Sequence, residues 1–151
     1  MNNILFCSAG RRARLLLNAK MTLADSGIVV ATDNSSTAPA LYCANKAYTV
    51  PRIDSPEYIE KILEICKENN IKTITTLIDP EISLLAENFE LLRKHGIIPL
   101  CPSKASSVYC FNKYELYKYL KANGIKTPLT YHKFEDFLGG LKNNDIKFPV
   151  F

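Results

Sequence analysis

The chain has 151 residues, of which 47% are hydrophobic and 23% charged, and its formal net charge is +4. That length supports one domain, or one domain and part of another, with a core that needs neither disulfide nor metal. The composition excludes a disordered tail, a collagen-like chain and a coiled coil.

No run approaches the roughly 20 apolar residues of a membrane span, and the N-terminus lacks the basic start of a signal peptide. The basic residues are dispersed along the chain, so neither a membrane nor a nucleic acid is indicated as a partner.

Residues 3–7 form an apolar run that reads as a strand buried on both faces, ending at Ser8-Ala9-Gly10-Arg11-Arg12. A helix is expected next, with Leu16, Ala19, Leu23 and Ala24 inward and Gly27 as its stop. Residues 28–32 read as a second strand closed by Asp33-Asn34-Ser35-Ser36, and residues 47–50 as a third, ended by Pro51. Asp54 or Ser55 is expected to cap the following helix, where Ile59, Ile62, Leu63 and Cys66 fall at i, i+3, i+4 and i+7.

Residues 72–78 read as a β-branched strand closed by Asp79-Pro80-Glu81. One helix then carries Ile82, Leu85, Phe89 and Leu92 inward and stops at His95-Gly96, before a fifth strand over residues 97–101. Strands alternating with helices in this way predict an α/β fold, a doubly wound parallel sheet covered on both faces.

After Pro102 the rhythm changes. Residues 103–110 and 112–123 read as two successive helices, 126–130 as an extended segment, 133–142 as a short helix and 147–151 as a further strand-like run. Tyr109, Tyr114, Tyr117 and Tyr119 cluster on the first two of these helices, where they pack between subdomains or floor a nucleotide pocket. Five cysteines with no CxxC spacing argue against a zinc site. Cys7, Cys66 and Cys101 lie in apolar runs and read as small buried hydrophobes in a reducing cytoplasm, without a link to His95 or His132.

In an open parallel sheet, ligands bind beyond the carboxyl ends of the strands. The first loop, with Ser8, Gly10 and Arg11, is a small-small-Gly turn opening a helix. Such a turn lets backbone N–H groups approach an anion at the positive end of the helix dipole, with Arg11 adding charge. A tight turn with solvated arginines is the plainer alternative. One glycine matches neither GxGxxG nor GxxxxGK[ST], although Asp33 stands where a ribose-binding acid stands in a dinucleotide-binding domain. Asp79 before Pro80 suits a helix N-terminus with Pro80 at the first helical position; Asp79 and Glu81 are otherwise acceptors for a polar or amine-bearing substrate.

Together, Ser8-Ala9-Gly10-Arg11-Arg12, Ala31-Thr32-Asp33-Asn34-Ser35-Ser36-Thr37-Ala38-Pro39-Ala40 and Leu77-Ile78-Asp79-Pro80-Glu81 resemble the N-terminal domain of ATP-grasp proteins. The nearest resemblance is to those labelled carbamoyl-phosphate synthase large-subunit-like. Phe111-Asn112-Lys113-Tyr114-Glu115, Asn123-Gly124-Ile125-Lys126-Thr127-Pro128 and Phe148-Pro149-Val150-Phe151 are similar to the opening of the ATP-grasp fold itself.

The resemblance implies a Rossmann-like pre-ATP-grasp domain over residues 1–110 and the beginning of an ATP-binding subdomain over 111–151. It implies a parent ligase in which ATP with Mg2+ activates a carboxylate as an acyl phosphate that an amine or similar nucleophile displaces. Lys113 matches the lysine that reaches the ATP phosphates, with a solvated lysine as the alternative. Ser8, Gly10, Arg11, Asp33, Asp79 and Glu81 become substrate-binding candidates, and no catalytic or metal-ligating residue is assigned.

A second ATP lysine, a glycine-rich lid, an adenine-contacting segment and metal ligands have no counterpart in the sequence. The chain is therefore expected to be an N-terminal part, inactive alone and without tight ATP or Mg2+ binding. Its expected partner is a small-molecule carboxylate or amine, with homo-oligomerisation through the α/β domain left open. The alternative is a self-contained Rossmann-like module holding a nucleotide or small anion at residues 8–12 and Asp33 without chemistry.

Overall fold

Short apolar runs rich in Val, Ile and Thr suit a pleated strand buried on both faces. In the computed structural model, which describes residues 1–148 and 150, the five runs become β1 (Ile4–Cys7), β2 (Val29–Asp33), β3 (Lys46–Thr49), β4 (Thr73–Thr76) and β5 (Ile98–Pro99). They form one parallel sheet in the order β3-β2-β1-β4-β5. The chain winds outward from β1 to β3, crosses to β4 and winds out again to β5, so the doubly wound α/β expectation holds. The register pairs Leu5 with Val30 on one side and Ile74 on the other.

Alternation along β1 divides the core. Leu5 and Cys7 join Val30, Ile74 and the inner faces of α2 (Tyr58–Glu68), α3 (Asp79–Glu87) and α4 (Phe89–Lys94). Phe6 joins Val29, Ala31, Leu16 of α1 (Ala13–Leu23), and Ala40 and Leu41 of a 3-10 turn over Pro39–Cys43. Both faces are thus closed, and each fully buried Leu or Ile contributes ~1.5–3 kcal/mol. The Cys7 and Cys66 thiols are buried in this core, while Cys101 is half-buried.

The structure departs from the sequence expectations at four places. Gly27 is no helix stop: α1 ends at Leu23 and Ala24 is exposed in a 3-10 turn (Ala24–Ser26). Gly27 is fully extended, and a Cβ there would collide with the backbone of Asn2, whose N–H donates to Ser26 O at 2.8 Å. Neither Asp54 nor Ser55 caps α2. Asp54 is taken by Arg52, and Ser55 Oγ accepts from Glu57 N–H one turn before the helix opens.

The single helix expected before β5 breaks at Asn88. There the side-chain amide donates to Leu84 O at 2.9 Å beside the backbone N–H, and Phe89 turns outward. Pro80 is the second rather than the first residue of α3.

The chain divides into two units, Met1–Lys104 and Ala105–Phe151. The second carries α6 (Lys113–Ala122) and α7 (Phe134–Lys142), preceded by α5 (Lys104–Phe111), which begins at the last residue of the first unit. Asn112 caps α6 by accepting the N–H groups of Tyr114 and Glu115. Tyr109 stacks on Tyr119 at 4.7 Å, and Tyr114 on Tyr117 at 6.0 Å. The strand-like run expected over residues 147–151 reaches beyond the described residues, and Lys147 and Phe148 are unpaired coil and bend. Among the described residues, no helix is long and apolar enough to cross a membrane.

Two outcomes follow for stability. Gly27→Ala should cost ~1–3 kcal/mol by forcing the Asn2 backbone away, read from the urea midpoint at unchanged m-value. Burial raises the Cys66 thiol from its ordinary 9.0 to about 12, and burial likewise raises Cys7. The folded state therefore favours the protonated thiols, and this contribution is complete below the unfolded value and lost as pH rises through the folded one. Stability should fall progressively from pH 9 to about 12, and Cys66→Ala should flatten that decline by up to ~1 kcal/mol per pH unit in pH-dependent denaturation.

Candidate functional site

The winding reverses between β1 and β4, and this is where an open parallel sheet leaves a crevice at its carboxyl edge. A cleft of about 170 Å³ lies there, lined by residues that follow four strands: Ser8 after β1, Asn34 after β2, Val50, Pro51, Arg52 and Ile53 after β3, and Ile78 after β4. The Tyr58 ring of α2 completes the wall.

Ser8 turns out of β1 with φ 46°, a left-handed conformation that costs a non-glycine residue ~1 kcal/mol or more. Its half-exposed side chain lines the cleft. The Arg52 guanidinium is paired with Asp54 at 3.2 Å, with both side chains well exposed. That pairing is loose enough to exchange for a ligand anion.

The first loop is built differently from an anion cradle. Gly10 has φ 54°, which glycine adopts freely. Its N–H donates to Asp33 Oδ2 at 2.8 Å, while Asp33 Oδ1 accepts the N–H of Ser35 at 3.0 Å. Ala9 N–H donates to Thr32 O and Arg12 N–H to Ala9 O, both within the chain. Asp33, almost completely buried, therefore locks the loop after β1 to the loop after β2. Neither Gly10 N–H nor Asp33 stands open to the cleft as a free group. Arg11 and Arg12 are exposed and are not among the cleft-lining residues.

The two acids after β4 separate completely. Asp79 is exposed in the first turn of α3, where its charge matches the helix dipole. Glu81 has no exposed surface. One of its oxygens accepts the Tyr58 hydroxyl and the other the Thr76 hydroxyl, and Thr76 Oγ1 also accepts Ile78 N–H at 3.3 Å. Burial, reinforced by the neighbouring Cys7 and Glu81, pushes the Tyr58 phenol well above its ordinary 10.0. Glu81 thus holds the cleft wall from behind, and a substrate amine has no route to it.

Lys113 lies in the second unit, where its ammonium donates to Cys110 O at 2.8 Å. A larger groove, about 630 Å³, also belongs to that unit, walled by Tyr131, Phe134 and Phe137 with Lys133 and Lys147. Among the described residues, no Asp or Glu side chain lines it.

Of the seven residues singled out from sequence, the structure brings only Ser8 into the cleft wall, with Gly10, Asp33 and Glu81 as its internal supports. Asn34 and Arg52 stood at strand ends in the sequence without being chosen. Tyr58 was missed, although it continues the Ile62 and Cys66 stripe of α2 back by one turn.

Glu81→Ala should destabilise the fold by about 3 kcal/mol, because it strands two buried hydroxyls. Glu81→Gln, which keeps an acceptor oxygen, should cost about half as much. Combining Tyr58→Phe with Glu81→Ala should cost less than the sum of the two, as read by urea denaturation.

Comparison with known proteins places this geometry in context. No curated protein sequence matches the chain. The chain is similar in structure to N5-carboxyaminoimidazole ribonucleotide synthetase from Thermotoga maritima, with TM-score 0.64 and 18% identity over 92% of this chain and 36% of that one. The biotin carboxylase domain of a single-chain bacterial carboxylase gives TM-score 0.62 and 15% identity over 96% and 35%. Glycinamide-RNase-transformylase T from Mycobacterium tuberculosis gives 0.60 and 15% over 86% and 37%. The chain spans about a third of the length of these structures, and at such identities the likeness is one of fold. Residues 4–100, which hold the whole sheet and all of the cleft-lining residues, match the family described as PylC-like, N-terminal domain, and the chain belongs to that family.

Proposed function

We propose that the chain is the substrate-holding N-terminal part of an ATP-grasp carboxylate–amine ligase, with its cleft receiving a small carboxylate or amine substrate. The observation that carries this reading is the cleft at the β1/β4 reversal, whose wall combines Ser8, Asn34 and Arg52 with an apolar side from Val50, Ile53 and Ile78. Membership of the PylC-like N-terminal family and the likeness in fold to a synthetase and a carboxylase support it. The finer carbamoyl-phosphate-synthase-like reading rests on the sequence segments alone.

In such a ligase, ATP with Mg2+ supplies the activating phosphoryl group. Among the described residues no group of three or more His, Cys, Asp or Glu could hold a metal ion, and the Lys113 ammonium donates to a main-chain carbonyl. This chain's part is to bind and orient. Arg52 offers a guanidinium to a carboxylate, the Ser8 hydroxyl and Asn34 amide offer both donors and acceptors, and the apolar wall excludes water from the bound group. We place the protein in the cytoplasm, a compartment suited to its five free thiols.

The reading is tested by NMR titration of the labelled chain with a panel of small carboxylates and amines. Shifts should centre on the amides of Ser8, Asn34, Arg52 and Ile78, and Ser8→Ala should weaken binding about 5-fold through loss of one hydrogen bond. Binding centred on the groove of the second unit would sink the assignment of this cleft.

A further inference from the structure

We propose that Tyr58 is a specificity-determining residue: its ring is the floor of the cleft and sets the length of the substrate tail that the cleft accepts. The proposal rests on the reading of this cleft as the substrate site. The exposure of the lining residues gives the cleft its depth. The Arg52 side chain is 71% exposed and Asn34 is exposed, which puts both at the mouth. Val50 and Tyr58 are 6% and 1% exposed, which puts them at the inner end. The lining thus runs from polar groups outside to an apolar end inside. A carboxylate that meets Arg52 has its tail directed at the ring.

The ring is fixed in that position. Its hydroxyl donates to Glu81, which has no exposed surface, and the Tyr58 N–H donates to Ser55 O at 3.1 Å where α2 opens. Swinging the ring aside would take a donor from a carboxylate in the interior. Tyr58 shares one buried cluster with Cys7, Ile62 and Leu85, so the ring is the partition between the cleft and the core. A packed interior does not yield to a tail pressed against such a partition without cost.

The cleft holds about 170 Å³, against the roughly 300–1,000 Å³ of ordinary small-molecule pockets. Removing the ring would therefore add a large fraction to the room available. A short tail gains about 4-fold in affinity for each methylene it buries against Val50, Ile53 and Ile78. Once the tail reaches the ring, the next methylene has to displace packed atoms and affinity falls.

The test titrates the full labelled chain with straight-chain monocarboxylates from acetate to hexanoate, following the Ser8 and Arg52 amides by NMR. It compares the wild type with Tyr58→Phe and Tyr58→Leu. Wild-type affinity should rise about 4-fold per methylene to a maximum and then drop. Tyr58→Phe keeps the ring and should keep the maximum at the same acid, whereas Tyr58→Leu opens the floor and should move it to a longer one. Partial unfolding lowers the affinity for every acid alike, so a moved maximum reports the floor and not the stability of the fold.

A wild-type affinity still rising at hexanoate overturns the proposal. So does a folded Tyr58→Leu whose maximum stays in place, or a Tyr58→Phe whose maximum moves. Should Tyr58→Leu not fold, Tyr58→Met takes its place under the same criteria, and the wild-type series still decides by itself. Acids that shift the cleft amides without a length maximum remove the role of Tyr58 alone. Acids that shift no cleft amide overturn the proposal too, and the site reading falls with it only if the amines of the panel also map elsewhere.

Discussion

A carboxylate with no exposed surface sits behind the carboxyl edge of the sheet, and the arrangement of that edge depends on it. Glu81 is met by hydroxyls from two directions, Tyr58 on α2 and Thr76 at the end of β4. Burying an ionisable group without such partners costs several kcal/mol, so each of these elements is constrained to the position that satisfies it. Through Thr76, whose oxygen also accepts Ile78 N–H, the constraint extends to the loop leading into α3. Through Tyr58 it reaches the cleft, because the same ring whose hydroxyl points at Glu81 forms part of the wall.

Asp33 performs the matching task on the other side of the sheet reversal. Its two oxygens join the loops after β1 and β2, as the hydroxyls on Glu81 join α2 to β4. Both acids stand at strand ends, where a parallel sheet collects its polar residues, and both are consumed by the fold. Among the described residues that line the cleft, the polar side chains left uncommitted are those of Ser8 and Asn34, together with an Arg52 held only by an exposed ion pair. These groups can change partners when a ligand arrives without breaking the interactions that define the sheet.

The inner strands were legible because both-face burial leaves a plain trace, continuous apolar runs separated by helical stripes and ended by polar residues, whereas the edge strand β3 is largely exposed. Ile4 to Cys7 and Val29 to Val30 could hardly be anything but interior strands. The helix boundaries were less legible, since they turned on competition between side chain and main chain. The Asn88 amide bonding back to Leu84 O divides a helix that the Leu85 and Leu92 spacing presents as continuous. Gly27 looked like a stop signal because glycine commonly ends helices, whereas its actual reason, the backbone of Asn2 pressed against it, is a contact between segments 25 residues apart.

The site was the least legible part, for a related physical reason. A polar residue at a strand end reads the same whether it faces a ligand or an orphan N–H of its own chain, and only the fold decides which demand is met first. Main-chain donors are numerous and close, and leaving one buried and unpaired is costly. An acid that such donors face is therefore drawn inward to satisfy them, as Asp33 is by Gly10 and Ser35. A hydroxyl or an exposed guanidinium faces a weaker pull and stays available. In a domain whose ligand is approached from the sheet edge, short neutral groups and loosely paired cations are thus better pointers to the cleft than the acids that catch the eye. The strained φ of Ser8 agrees with this view: the backbone holds an uncommon conformation at the one candidate residue that the fold leaves facing the cleft.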